Sequence, residues 1–175
     1  MSVNYDKLNT YVACSSAFTP GATPQDVVTL TGSATKNIYV LEMGISTTQT
    51  TAGLNAWFIA KRSAANTAGT SAGLTEVSLQ STQSAATATG LQYTANPTAG
   101  TLVGNIWNGW INSPDIAADG PGALNSTVVN FESLIGKPLA LLSAAEVVAW
   151  NFNGAALPAG LSVLAWIKWA ESSKS

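Results

Sequence analysis

Hydrophobic and polar positions along this chain alternate in short runs, and the runs are separated by stretches rich in Thr, Ala, Ser, Gly and Asn. The clearest alternation spans Asn37–Ser46. Tyr39, Leu41, Met43 and Ile45 fall on one side there, and Ile38, Val40, Glu42 and Gly44 on the other. Side chains point alternately to the two faces of a strand, so the segment predicts a half-buried strand with the first set on the core. Leu161–Glu171 is apolar on both sides. Val163, Ala165, Ile167 and Trp169 share one face, and Leu164, Trp166, Lys168 and Ala170 the other. A strand of that kind is covered on both faces, or is pressed against another subunit. The same reasoning predicts strands over Asp26–Thr31, Leu54–Lys61, Thr75–Leu79, Ala88–Thr94, Leu102–Ile111, Thr127–Glu132, Pro138–Leu142 and Val147–Phe152. Ser143–Glu146 has the Ser-x-x-Glu pattern of a helix start. The alternation of Val148, Trp150 and Phe152 against Val147, Ala149 and Asn151, closed by Asn153-Gly154, favours a turn followed by a strand.

No helical period is sustained. Strands recur every ~8–12 residues with turn signals between them, which predicts an all-β fold, an antiparallel β-sandwich or a barrel. Ala, Ser and Thr make up 66 of 175 residues and concentrate in four tracts, Ser46–Gly53, Ser63–Gly73, Ser81–Gly90 and Thr94–Thr101. The first 24 residues hold Pro20, Pro24 and the lone Cys14 with patchy apolar character, and read as a partly extended N-terminal arm. The expected organisation is an arm over 1–24, a sandwich over 25–171 and a short tail over 172–175.

Composition narrows the chemistry. A chain of 175 residues and 17.9 kDa is one domain's worth. Only 9% of it is charged, the net charge is -2, and there is no His, one Cys and one Arg. A zinc site of His and Cys, a His-dependent triad and an internal disulfide are therefore excluded. Seven cations make no basic stripe for nucleic acid. The most apolar stretch, Gly154–Ala170, is interrupted by Pro158, Gly160 and Lys168, so no membrane span is expected, nor does Met1–Lys7 resemble a signal peptide. Nine carboxylates are present, and spacing places no two of them together on one strand face. Asp115–Gly120 has Ala where a calcium loop needs further ligands, so it reads as a turn. Asn125-Ser126-Thr127 fits the N-glycosylation acceptor as a chance match. No catalytic residue, cofactor or metal is expected, and the chain reads as a protein that is not an enzyme. A surface this poor in charge is a solubility liability for a free monomer and is tolerable within an assembly.

Six tryptophans stand out. Trp57, Trp107, Trp110, Trp166 and Trp169 are candidate interface residues, since interfaces are enriched in Trp and depleted in Lys and Glu. Trp107 and Trp110 lie three apart, as do Trp166 and Trp169, so on a strand each pair splits between opposite faces and forms no single flat platform.

The middle of the chain resembles a group of small virion structural proteins of tailed bacteriophages. The words that carry the likeness are Ile59-Ala60-Lys61-Arg62-Ser63, Ala65-Asn66, Gly69-Thr70-Ser71, Tyr93-Thr94-Ala95-Asn96-Pro97-Thr98, Gly100-Thr101 and Val103-Gly104. Thr50-Thr51-Ala52-Gly53 precedes them, and Gly136-Lys137-Pro138-Leu139, Pro158-Ala159-Gly160 and a Trp-bearing last strand follow, covering about Val27 to Glu171. The resemblance implies a jelly-roll-like sandwich that decorates or cements a capsid. It implies a homotrimer on the capsid exterior, made in the host cytoplasm, with the major capsid protein as partner and no nucleic acid or membrane. The Trp content and the N-terminal segment depart from the group's pattern. In the cement reading the arm adds a strand to a neighbour's sheet, and its deletion leaves the sandwich folded. The alternative reading is a lectin-like, virion-surface or tail-associated jelly-roll module that binds a glycan through exposed Trp.

Overall fold

The computed structural model describes residues 8–119, 125–157 and 160–174. Two six-stranded sheets face one another, and every strand pairing among the described residues is antiparallel. Sheet A contains β1 (Asn9–Cys14), β3 (Lys36–Thr48), β6 (Thr75–Ser78), β9 (Asn125–Asn130), β10 (Leu139–Leu141) and β12 (Ser162–Ser173). Its order is β10-β3-β12-β1-β6, with β9 beside β10 on the same edge of β3. Sheet B contains β2 (Asp26–Thr31), β4 (Gly53–Arg62), β5 (Thr70–Gly73), β7 (Thr89–Ala95), β8 (Leu102–Ser113) and β11 (Val147–Asn151), in the order β5-β7-β2-β11-β4-β8. Two short helices, α1 (Ile116–Asp119) and α2 (Phe131–Ile135), sit in the connections.

The sandwich core is built from alternate residues of the facing strands. Tyr11, Ile38, Val40, Met43, Ile45, Val163, Ile167 and Trp169 come from sheet A, and Val28, Leu30, Trp57, Ile59, Ile111, Val148 and Trp150 from sheet B. Tyr11 stacks on Trp169 at 5.5 Å, and Trp57 packs tilted on Trp150 at 4.5 Å. Each large side chain buried here contributes about 1.5–3 kcal/mol of transfer free energy.

The predicted face of β3 holds for Met43 and Ile45 and is reversed for Tyr39 and Leu41. Ile38 and Val40 are buried in their place. The reason is a β-bulge: Glu42 pairs with Lys168 and Val40 with Trp169, so Leu41 is an extra residue and the alternation changes phase across it. On the other edge of β3, β9 ends at Asn130 opposite Glu42 and β10 begins at Leu139 opposite Val40. The excursion between them carries α2. Asn130 caps that helix, its Oδ1 accepting from the Ser133 N–H at 2.9 Å, and Gly136 closes it at φ 71°. The strand predicted to reach Glu132 therefore stops at its capping residue, and Phe131 turns into the core.

Within the predicted N-terminal arm, Asn9–Cys14 form β1, paired along one side to β12 and along the other to β6. Both hydrogen-bonding edges of this segment are occupied within the chain, so it has none left for a neighbour's sheet. Ser172 and Ser173, in the predicted tail, extend β12 opposite Asn37 and Lys36. Ser143–Glu146 is a turn and Val147 begins β11, as the alternation predicts.

Arg62, Asn66 and Gly100, each from one of the words that carry the resemblance, join Asp26 in one polar knot. Arg62 grips the fully buried Asp26 with two hydrogen bonds, Nε to Oδ2 at 2.7 Å and the second from Nη2 to Oδ1 at 2.8 Å. Asn66 and Asn151 donate to the same carboxylate at 2.7 and 2.6 Å. Arg62 also donates to the Gly100 carbonyl, and the Asn66 side-chain oxygen accepts from the Gly100 N–H. Gly100 is required by close approach, since a Cβ there would lie 1.8 Å from the Ala64 carbonyl oxygen. Asn96 ties the same loops to the chain before β2, accepting from Gln25 N–H and donating to the Thr23 carbonyl.

Two outcomes follow from this architecture. Deleting residues 1–24 removes an interior strand, so cooperative unfolding by circular dichroism is expected to be lost. Replacing Arg62 by Ala leaves a buried carboxylate without its cation and is expected to cost about 3–5 kcal/mol in urea denaturation.

Candidate functional site

No three His, Cys, Asp or Glu side chains among the described residues cluster as metal ligands. Several carboxylates hold backbone N–H groups. Asp115 accepts from the Ala117 and Ala118 N–H groups and Asp119 from the Asp115 N–H, which is turn chemistry at α1. Buried Glu171 accepts from Trp169 Nε1, from Thr87 N–H and hydroxyl, and from Ala88 N–H. Glu76 accepts from the Gly90 N–H nearby, and burial, with Glu171 adding repulsion, pushes its carboxyl up from the ordinary value. Together Glu76 and Glu171 clasp the 87–90 segment onto sheet A.

The tryptophans separate by face as the spacing predicts. Trp169 points inward with 0% exposure, while Trp166 lies on the outer face of sheet A. Its indole rests flat against Gly44, where a Cβ would be 2.0 Å from the ring, and its Nε1 donates to Glu42 at 2.9 Å. Burial alone pushes the Glu42 carboxyl up. The hydrogen bonds and charge of Lys168, with the Trp166 N–H, outweigh it and hold the group below its ordinary value of 4.5. Trp57, at 2% exposure, is a core residue. Trp57 and Trp169 are thus corrected from candidate interface residues to core: their positions in the alternation face the opposite sheet.

Trp107 and Trp110 are different. Both lie on β8, the edge strand of sheet B, which pairs only with β4 among the described strands. Trp110 is 65% exposed and Trp107 42%. Trp110 stands opposite Ala56 on the outer face, between the flanking β4 positions Leu54 and Phe58. Trp107 is opposite Ile59, on the inner-face side of the strand. Leu54 is exposed near Trp110 and Ile106 next to Trp107, and Leu102 and Val103 are exposed at the start of the strand. These aliphatic neighbours are absent from the candidates drawn from the sequence. The signal available for them was a twelve-residue run from Leu102 to Ser113 with no charged residue and no sustained alternation.

The alternation fails there because β8 is bulged twice, at Ile106 and Val103, leaving 107–113 in regular register with β4. The six exposed apolar side chains are spread along the edge, from Leu102 opposite Arg62 to Leu54 opposite Asn112, and over both faces of the strand. A shallow groove of about 280 Å³ lies on the outward side, lined by Phe58, Asn108 and Trp110 with Ala56, Trp57 and Gly109. No charged side chain lines it. Across the molecule, Val128 and Leu164 are exposed beside Trp166 on the outer face of sheet A. Arrangements of this kind suit shape-based protein contact rather than proton transfer. No protein family, curated protein or solved structure matches the chain.

Removal of exposed and buried indoles is expected to differ sharply. Trp110→Ala should change the unfolding free energy in urea by no more than about 0.5 kcal/mol, whereas Trp169→Ala should cost about 3–5 kcal/mol. Acid provides a second measurement. Burial also pushes the Glu146 carboxyl up, but the Leu142 N–H and Lys61 outweigh it and hold it low, as at Glu42. Groups with depressed folded-state values stabilise the fold above 4.5 and lose that contribution as the pH falls through the folded-state value. Glu76 opposes them, since its raised value favours folding on protonation. The double variant Glu42→Gln, Glu146→Gln is expected to lose less melting temperature than the parent between neutral pH and acid below 4.5.

Proposed function

We propose that this protein is a bacteriophage capsid cement protein, a homotrimer that binds the assembled shell of the major capsid protein from outside and stabilises it without catalysis. The observation that carries the reading is a closed, charge-poor sandwich whose exposed apolar side chains gather on its β8 edge and on the outer face of sheet A. Few ions must be desolvated when such faces meet another protein. Binding only the assembled shell stabilises it by mass action. Three linked copies raise avidity by ~10²–10⁴ without any strong single contact.

The strand order supports the jelly-roll part of the reading. With the insertion β5–β7 set aside, the sheets run β1-β12-β3-β9/β10 and β2-β11-β4-β8, and successive strands wrap across the two sheets as nested Greek keys. The words that suggest the phage group coincide with the Asp26–Arg62 knot, which is a fold-determining feature. They support common architecture more directly than common binding.

The groove at Trp110 favours a second reading, a glycan-binding module, because an exposed indole beside the Asn108 amide offers a sugar a stacking face and a hydrogen-bonding group. Two experiments separate the readings. Purified protein mixed with shells lacking it is expected to co-sediment saturably and to appear on the outside by electron microscopy, with Leu164→Asp weakening binding at least tenfold. Failure of the parent protein to bind shells sinks the cement reading. Quenching of tryptophan fluorescence by an oligosaccharide panel, lost in Trp110→Ala, would establish the glycan reading.

A further inference from the structure

Unlike most edge strands, β8 is long, uncharged and rich in exposed apolar side chains. Native edges are ordinarily protected by charge, brevity or irregularity. Here the two bulges protect only the first half, at Val103 and Ile106, and the stretch 107–113 keeps a regular register. No described strand pairs with its outer edge. We propose that this edge is occupied by a second copy of the same chain, paired antiparallel about a two-fold axis through Trp110, so that sheet B runs continuously from one copy into the other.

The sequence of the regular stretch is self-complementary in that register. Centring the axis on Trp110 sets Trp110 against Trp110 of the other copy, Asn108 against Asn112, Gly109 against Ile111, and Trp107 against Ser113. Directly opposite residues share a face. The outer face then carries an indole pair flanked by two amide pairs. On the inner-face side, each large residue meets a small one. An edge without charge meets its own copy with no like-charge repulsion. It also offers nothing to a partner that recognises charge. Of the exposed apolar side chains only Trp107 and Trp110 fall within the paired stretch, so the contact is smaller than the ~800 Å² per partner of a standard stable interface. The contact is therefore expected to be reversible and concentration-dependent.

A two-fold contact is distinct from a three-fold one, and this pairing does not depend on the capsid reading. In a homotrimer it would join one trimer to the next and give even multiples of three. Two measurements on the full chain test it, with Cys14 replaced by Ser. Cα atoms of directly opposite residues lie about 4.5–5.5 Å apart, so Asn108→Cys with Asn112→Cys should form a covalent dimer under mild oxidation. Either substitution alone should yield at least tenfold less. The second measurement is sedimentation over a concentration series. The parent is expected to show an even number of copies. Asn108→Lys with Asn112→Lys places lysine against lysine in the proposed register, and is expected to weaken the two-fold association at least tenfold with the circular dichroism spectrum unchanged. Absence of the paired cross-link, or a sedimentation series that the lysines leave unaltered, overturns the proposal. Shell binding is read separately, so loss of one result does not remove the other.

Discussion

The chain's only arginine lies buried against a buried aspartate, and much of the molecule's surface is decided by that pair. Two charges taken out of water are tolerable only when their hydrogen bonds are well satisfied. Asp26 receives Arg62 through two bonds and amides from Asn66 and Asn151, while Arg62 and Asn66 both engage Gly100. The strand pairing puts Arg62, Ala149, Thr29 and Asn151 on the outward face of sheet B, and Ala149 and Thr29 are buried there. The knot thus draws the 63–69 and 96–101 loops over the β2–β11 side of that face. It touches β8 only at the strand's first residue, Leu102, opposite Arg62, and leaves the rest of that edge bare.

A second polar group joins the two sheets from inside. Thr47 of β3 and Ser113 of β8 share a 2.5 Å hydrogen bond, and Asn55 donates to Ser113 and to Gln49. All four are buried. The last residue of β8 is therefore anchored within the sandwich, while the middle of the strand projects its indoles and aliphatic side chains outward. A strand held at one end and exposed along its length presents a preorganised contact surface. Little ordering entropy remains to be lost when a partner docks.

The low charge is best understood together with this geometry. The ion pair Lys61–Glu146, at 3.2 Å, borders the start of β8, where Lys61 is paired with Gly104, and Lys168–Glu42, at 2.9 Å, lies on sheet A. The strand β8 itself carries no charged side chain from Leu102 to Ser113. The result is an edge with few desolvation penalties against association.

What the amino-acid sequence determined by itself is the all-β character, most strand positions, which residues of β12 and of β11 share a face, and the split of each Trp pair, because a two-residue period is a local property of strand geometry. It did not reveal β1 or β5. Asn9–Cys14 is only mildly apolar, and its place between β12 and β6 depends on partners more than sixty residues away. The bulge at Leu41 was equally hidden, since one extra residue is visible only against the partner strand. The candidate surface was half legible: the sequence named Trp107 and Trp110 but could not separate them from Trp57 and Trp169. All four sit in similar apolar runs, and only the stacking of one sheet on the other decides which indoles are covered and which strand is left at the edge.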